Sequence, residues 1–183
     1  AAGAGIRINF GIVADVTPDA ASFLAPRLLG TSAKAASPRV AAAVEGESGT
    51  VFSTLKHFPG HGGAPGDSHS LVPRTGMTLE RWRATQAPPF AAGIAAGAEL
   101  VMLGHLRYTA VDSTPATLSP EWYRILRDEL GFAGVAVTDD LSMLQASGEN
   151  SLADPTRNGL RALAAGADLL LFVGPVEVRA LRD

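Results

Sequence analysis

Ala95-Ala96-Gly97-Ala98-Glu99-Leu100-Val101-Met102-Leu103 reads as a helix end, a glycine cap and a buried strand. Ala164-Ala165-Gly166-Ala167-Asp168-Leu169-Leu170-Leu171-Phe172 repeats the pattern. Glycine past the last helical turn relieves the left-handed backbone needed there. A short apolar run rich in aliphatic residues suits a strand covered on both faces. Three more such runs lie outward from this pair, at Ile6 to Val13, Val51 to Leu55 and Gly134 to Val137. With Leu100 to Leu103 and Asp168 to Val173 they make five expected strands, separated by roughly 35 to 45 residues where a helix fits between. Repeated βα units predict a parallel α/β fold, either a closed (β/α)8 barrel or an open doubly wound sheet. No Gly-x-Gly-x-x-Gly follows a strand, which argues against dinucleotide binding.

The connecting segments carry helical signals. Ser119-Pro120-Glu121 supplies an N-cap, a first-turn proline and a first-turn acid, and Gly131 is placed as the C-terminal cap. Trp122, Ile125, Leu126 and Leu130 fall on one face of that helix. Thr78 opens another helix, which Pro88-Pro89 must break or restart. At 183 residues the chain is read as a single domain over 1–183. A net charge of −3 without a basic stripe argues against nucleic acid as a partner. No apolar run approaches the about 20 residues of a membrane span, and the first residues lack the charged segment of a signal peptide. With no cysteine there is neither a disulfide nor a thiolate nucleophile.

The densest chemistry lies in Lys56-His57-Phe58-Pro59-Gly60-His61-Gly62-Gly63-Ala64-Pro65-Gly66-Asp67-Ser68-His69. Lys56 and His57 directly follow an expected strand, at the edge where βα folds keep their functional groups. The glycines let the loop turn and carry Asp67 and His69 over that edge. An aspartate accepting from one imidazole nitrogen fixes the tautomer, so Asp67 and His69 can move a proton near neutral pH. The same Asp-Ser-His could instead cap a turn. Histidine and aspartate are also zinc ligands, but Phe58-Pro59-Gly60 prevents the helix on which His57 and His61 would converge. No metal and no cofactor are expected, and His61 receives no task.

Gly134-Val135-Ala136-Val137-Thr138-Asp139-Asp140-Leu141-Ser142-Met143 is the second constellation, a buried strand ending in two carboxylates. Side chains alternate along a strand, so only one of the two can face the functional edge. The other, or either, could cap a helix.

Together these segments resemble family 3 glycoside hydrolases, specifically the bacterial β-N-acetylhexosaminidase branch. The carriers are Lys56 to Gly62, a gap of four residues, Asp67-Ser68-His69, and Thr138 to Met143. Glu99 to His105, Thr117 to Pro120 and Leu130 to Val135 are similar to further family segments. The resemblance implies a TIM-type (β/α)8 barrel, here partial because the chain starts at what looks like the third strand. It implies a retaining glycosidase in which Asp139 is the nucleophile, His69 the general acid/base and Asp67 its partner. Lys56 and His57 would hold the sugar, and Arg27, in the looser match Arg27-Leu28-Leu29-Gly30, would assist. The implied substrate is a glycan with terminal β-linked N-acetylglucosamine, as in peptidoglycan fragments, in the cytoplasm or outside the cell. A phosphorylase of the same site, or a sugar-binding barrel without catalysis, stands as the alternative. Exposed sheet edges in a partial barrel lead us to expect an isolated 183-residue chain to be poorly active or unstable.

Overall fold

The computed structural model describes residues 2–182, and the chain alternates strands and helices as the sequence predicts. The order begins β1 (Ile8–Val13), α1 (Ala33–Glu47), β2 (Phe52–Phe58), β3 (Arg74–Thr75), α2 (Leu79–Thr85) and α3 (Ala87–Ala95). It continues β4 (Leu100–Leu103), β5 (Arg107–Tyr108), α4 (Pro120–Arg124), β6 (Val135–Thr138), α5 (Ser142–Ala146), α6 (Pro155–Ala165) and α7 (Val178–Arg182). Ser119 caps α4 through its hydroxyl, which accepts from the Trp122 N–H, and the helix runs on as a π-helical turn, Ile125–Glu129. Pro88 and Pro89 lie in the first turn of α3, where their missing N–H groups cost nothing, so they restart the helix after α2.

Four strands form one parallel sheet in the order β1-β2-β4-β6, and β3 pairs with β5 in a separate parallel ribbon. The order never reverses along the main sheet. It therefore lacks the switch point of a doubly wound fold and follows the sequential winding of a barrel. The two sheet faces differ. Ile12, Leu55, Val101, Leu103 and Ala136 pack with Val40, Trp82, Phe90, Trp122 and Ala162 from the helices. On the other face Leu100, Met102 and Val137 form a small cluster with Phe10 and Leu171, and no helix residue joins it. Leu100 and Met102 against Val101 and Leu103 is the strand alternation that divides the interior from the helical layer.

Leu169–Phe172 corrects the sequence expectation of a fifth strand at Asp168 to Val173. The segment runs beside β6 but makes only one ladder bridge, Val137 with Leu169. Side chains replace part of the ladder: Leu171 N–H donates to Thr138 Oγ1 and Val173 N–H to Asp140 Oδ1, both at 2.9 Å. The preceding glycines do behave alike, with φ of +96° at Gly97 and +125° at Gly166.

An aromatic nest supports the functional edge. Phe58 meets Trp82, Phe90 and Trp122 edge to face at 5.4–5.9 Å, and Tyr108 meets Trp122 at 5.3 Å. Such pairs contribute about 0.5–1.5 kcal/mol each beyond their buried area. Two of these rings also hold the root of the histidine loop. Trp82 Nε1 donates to Pro59 O and Tyr108 Oη donates to Gly60 O, each at 2.6 Å.

Candidate active site

The C-terminal ends of β1, β2, β4 and β6 meet at one edge, and each delivers a polar side chain there. Lys56 and His57 lie within the last residues of β2, which extends past the expected Leu55 to Phe58. Asp139 follows β6 directly, and its N–H donates to Leu103 O at 2.9 Å, continuing the ladder with β4. Arg27 comes from the loop after β1, and His69 from the glycine-rich loop after β2. A cavity of about 140 Å³ is lined by Phe23, Arg27, Lys56, His57, His61, Ser68, His69, Asp139 and Met143. Five of the six residues singled out in the sequence therefore share one small space.

The sixth, Asp67, stands behind His69. Its Oδ1 accepts from the His69 N–H at 3.0 Å and lies 2.6 Å from His69 Nδ1. A carboxylate only accepts, so Nδ1 carries the proton and Nε2 is left for other chemistry. The His69 amide and ring hold the Asp67 carboxyl below its ordinary value, and the pair is largely exposed. Gly60 and Gly66 both take positive φ, +127° and +111°, which gives the loop its turns.

Asp139 and Asp140 separate as strand alternation requires. Asp139 lines the cavity, while Asp140 Oδ1 accepts from the Ser142 and Val173 N–H groups at 3.0 and 2.9 Å. Burial alone would raise the Asp139 carboxyl. The nearby His105 and His57 rings, the Asp140 N–H and the Lys56 ammonium outweigh it and hold the group below the usual value, ionised at neutral pH. Lys56 is pushed down by burial and by Arg27, an effect that Asp139 and Asp15 partly offset.

Two residues at this edge escape sequence reasoning. Asp15, just past β1, has no exposed surface and binds two other segments at once. Its Oδ2 lies 2.7 Å from His57 Nδ1 and accepts the His57 N–H at 3.1 Å, while Oδ1 accepts the His61 N–H at 2.6 Å. Burial would raise this carboxyl, but the His57 and His61 contacts win and lower it. The available signal is a carboxylate following a buried strand, the same signal read at Asp139. His105 is the other residue, and it is treated below.

His61 is 2% exposed, with its ring against Phe23 and His57 at 5.0 and 5.8 Å and neither ring nitrogen hydrogen-bonded. Burial lowers its pKa, so the ring is neutral at neutral pH. Among the described residues no group of three or more His, Asp or Glu stands together to hold a metal ion. Among them, too, no helix is long and apolar enough to cross a membrane.

Known proteins share this fold. Residues 1–182 match the glycosyl hydrolase family 3 N-terminal domain, and the chain belongs to that family. That domain is a TIM-type (β/α)8 barrel, and the parallel βα order here is part of one. The β-hexosaminidase of Methylococcus capsulatus is 33% identical over 178 residues, covering 96% of this chain and 52% of the relative. The β-hexosaminidase of Chromobacterium violaceum is 36% identical over 175 residues, covering 94% of this chain and 48% of the relative. The chain thus spans about half the length of these curated relatives. Among solved structures, native NagZ from Neisseria gonorrhoeae superposes with a TM-score of 0.80 at 30% identity, covering 97% of this chain and 50% of that one. A family 3 β-N-acetylglucosaminidase from Paenibacillus gives 0.84 at 35% identity, covering 92% and 32%.

Proposed function

We propose that the whole protein is a retaining glycoside hydrolase that removes terminal β-linked N-acetylglucosamine, with peptidoglycan fragments as its substrate class. The observation that carries this reading is the shared cavity. An ionised carboxylate, Asp139, and an imidazole backed by its own carboxylate, His69 with Asp67, face one space together with the cations of Lys56 and Arg27. The sugar class rests on the relatives named β-hexosaminidase and β-N-acetylglucosaminidase.

In the first step Asp139 forms a bond to the anomeric carbon as the glycosidic C–O bond breaks. Protonated His69 gives its Nε2 proton to the departing oxygen. In the second step water attacks the anomeric carbon, neutral His69 takes a proton from it, and the Asp139 ester bond breaks. The roles are those of the two carboxylates in most retaining glycosidases, with a histidine as acid and base. Asp67 holds the His69 tautomer and stabilises the imidazolium. Lys56 and His57 bind hydroxyls from the end of β2, where their positions are fixed, and Arg27 does so from the loop after β1.

The test is turnover of N-acetylglucosaminides with good and poor leaving groups by the full-length protein, with and without phosphate. Hydrolysis that disappears in Asp139→Ala supports the reading. Glycosyl phosphate as the dominant product would make the enzyme a phosphorylase, and binding of N-acetylglucosamine with no turnover would make it a sugar-binding barrel.

A further inference from the structure

His105 is 1% exposed, does not line the cavity, and takes no part in the steps above. It lies just past β4, and both of its ring nitrogens are hydrogen-bonded. Nε2 is 2.8 Å from the Asp140 carbonyl oxygen, and Nδ1 is 2.8 Å from Thr117 Oγ1. A carbonyl only accepts, so Nε2 carries a proton. The Thr117 hydroxyl stands 2.8 Å from Gly104 O and 3.0 Å from Leu103 O, at the end of β4. It can donate to a neutral ring, or accept from a protonated one and donate to Gly104 instead. Either way the ring spans from β4 to the residue after Asp139.

The place of this span matters. The β4–β6 ladder ends with Leu103 paired to Thr138 and the Asp139 N–H bonded to Leu103 O. One residue further the β4–β6 ladder has ended, and the 140–141 peptide is held from two sides. The Leu141 N–H donates to Leu171 O at 3.0 Å, and among the described residues His105 alone ties the Asp140 carbonyl back to the β4 side. The Asp140 N–H in turn donates to Asp139 Oδ1 at 2.8 Å, so movement of this backbone is passed to the carboxylate. A buried imidazole is costly unless its polar atoms are paired, and packing alone would be served by an apolar side chain of similar volume.

We propose that His105 is a positioning residue for Asp139, holding the Asp140 backbone against the end of β4 and so setting the direction in which the Asp139 carboxylate faces the cavity. The proposal rests on Asp139 being the nucleophile.

The experiment uses the full-length protein and a fluorinated N-acetylglucosaminide that glycosylates a nucleophile quickly and is released slowly. The rate of covalent labelling is read by intact mass, the labelled residue by peptide mapping, and sugar binding by calorimetry. His105→Phe keeps bulk without hydrogen bonds and is expected to label about 10²-fold more slowly, the scale of a misplaced reacting group, with sugar affinity unchanged. His105→Gln offers an amide N–H and a carbonyl across the same span and is expected to recover at least tenfold of that loss. A merely structural histidine would alter thermal stability without this ordering of labelling rates. Wild-type labelling in folded His105→Phe overturns the proposal. Should that variant fail to fold, His105→Asn, polar but too short to reach the Asp140 carbonyl, takes its place, and its labelling at the wild-type rate overturns the proposal. A label mapping to a residue other than Asp139 in the wild type sinks the nucleophile assignment instead, a distinct result.

Discussion

Asp15 with His57 and Asp67 with His69 make the same contact, carboxylate to imidazole Nδ1, at 2.7 and 2.6 Å. In the first pair the carboxylate side chain is fully buried and the ring 9% exposed, whereas in the second the side chains are 47% and 64% exposed. Asp15 and His57 sit at the ends of adjacent parallel strands, β1 and β2, and Asp15 also grips the His61 backbone. Asp67 and His69 are neighbours in a loop and hold chiefly each other. One pair has its geometry imposed by the sheet, and the other can exchange protons with water and adjust to a ligand. The contrast fits the proposed division, in which the buried pair orients a sugar-binding ring and the exposed pair moves the proton. It also separates stability from chemistry, because an exposed pair contributes about 0–1 kcal/mol, while each buried donor left without its acceptor costs about 1–3 kcal/mol.

Substitutions can break the comparison, beginning with the carboxylate that shares the cavity with His57 and His69. Asp139→Ala in the full-length protein should lower kcat by about 10⁴-fold or more, as loss of a nucleophile does, while N-acetylglucosamine still binds by calorimetry. His69→Ala should slow substrates with poor leaving groups by about 10²–10⁴-fold, the range for general acid–base catalysis. Substrates with good leaving groups should be spared, and the melting temperature should not move. Equal losses across leaving groups would remove His69 as the acid.

Asp15→Ala should destabilise the fold by at least about 3 kcal/mol in denaturant titrations. The His57 ring and the His57 and His61 N–H groups lose their acceptor, and each buried unpaired donor costs about 1–3 kcal/mol. Its pH dependence has a definite sign. The folded carboxyl lies below its ordinary value. Its contribution is therefore complete above the unfolded aspartate value of about 3.9 and is lost as pH falls through the depressed folded value. The stability gap between wild type and Asp15→Asn should narrow as pH is taken below about 4. A gap that widened in acid would contradict the charged state assigned to Asp15. The smallest effect on stability is expected at Asp67→Asn, within about 0.5 kcal/mol of wild type, while activity falls by up to about 10⁴-fold because an amide holds neither the tautomer nor the imidazolium.

The parts legible in the sequence share a short range. Lys56, His57, Asp67 and His69 occupy one continuous segment, and Asp139 closes an apolar run, so both clusters stand out without knowledge of the fold. The helix caps at Ser119 and Gly131 are equally local. The expected fifth strand shows where that range ends. Asp168 to Val173 is as apolar as β4, yet Thr138 Oγ1 and Asp140 Oδ1 take up two of its N–H groups, and they lie over thirty positions earlier. Asp15 and His105 were missed for the same reason. Asp15 carries only the local signal of a carboxylate after an apolar run, and the contacts that hold it and His105 reach His57, His61 and Asp140, which are 42, 46 and 35 positions away.

From the sequence alone came the βα rhythm, the histidine loop and the carboxylate-ended strand, because apolar periodicity, glycine caps and dense titratable side chains are written between near neighbours. The tertiary structure decided the rest: that Asp139 and not Asp140 lines the cavity, that His69 reaches it with Asp67 behind, and that Asp15 and His105 hydrogen-bond to His57 and to the Asp140 carbonyl. These depend on the register of parallel strands, which aligns residues some forty positions apart and is set by the packing of the whole sheet rather than by any one segment.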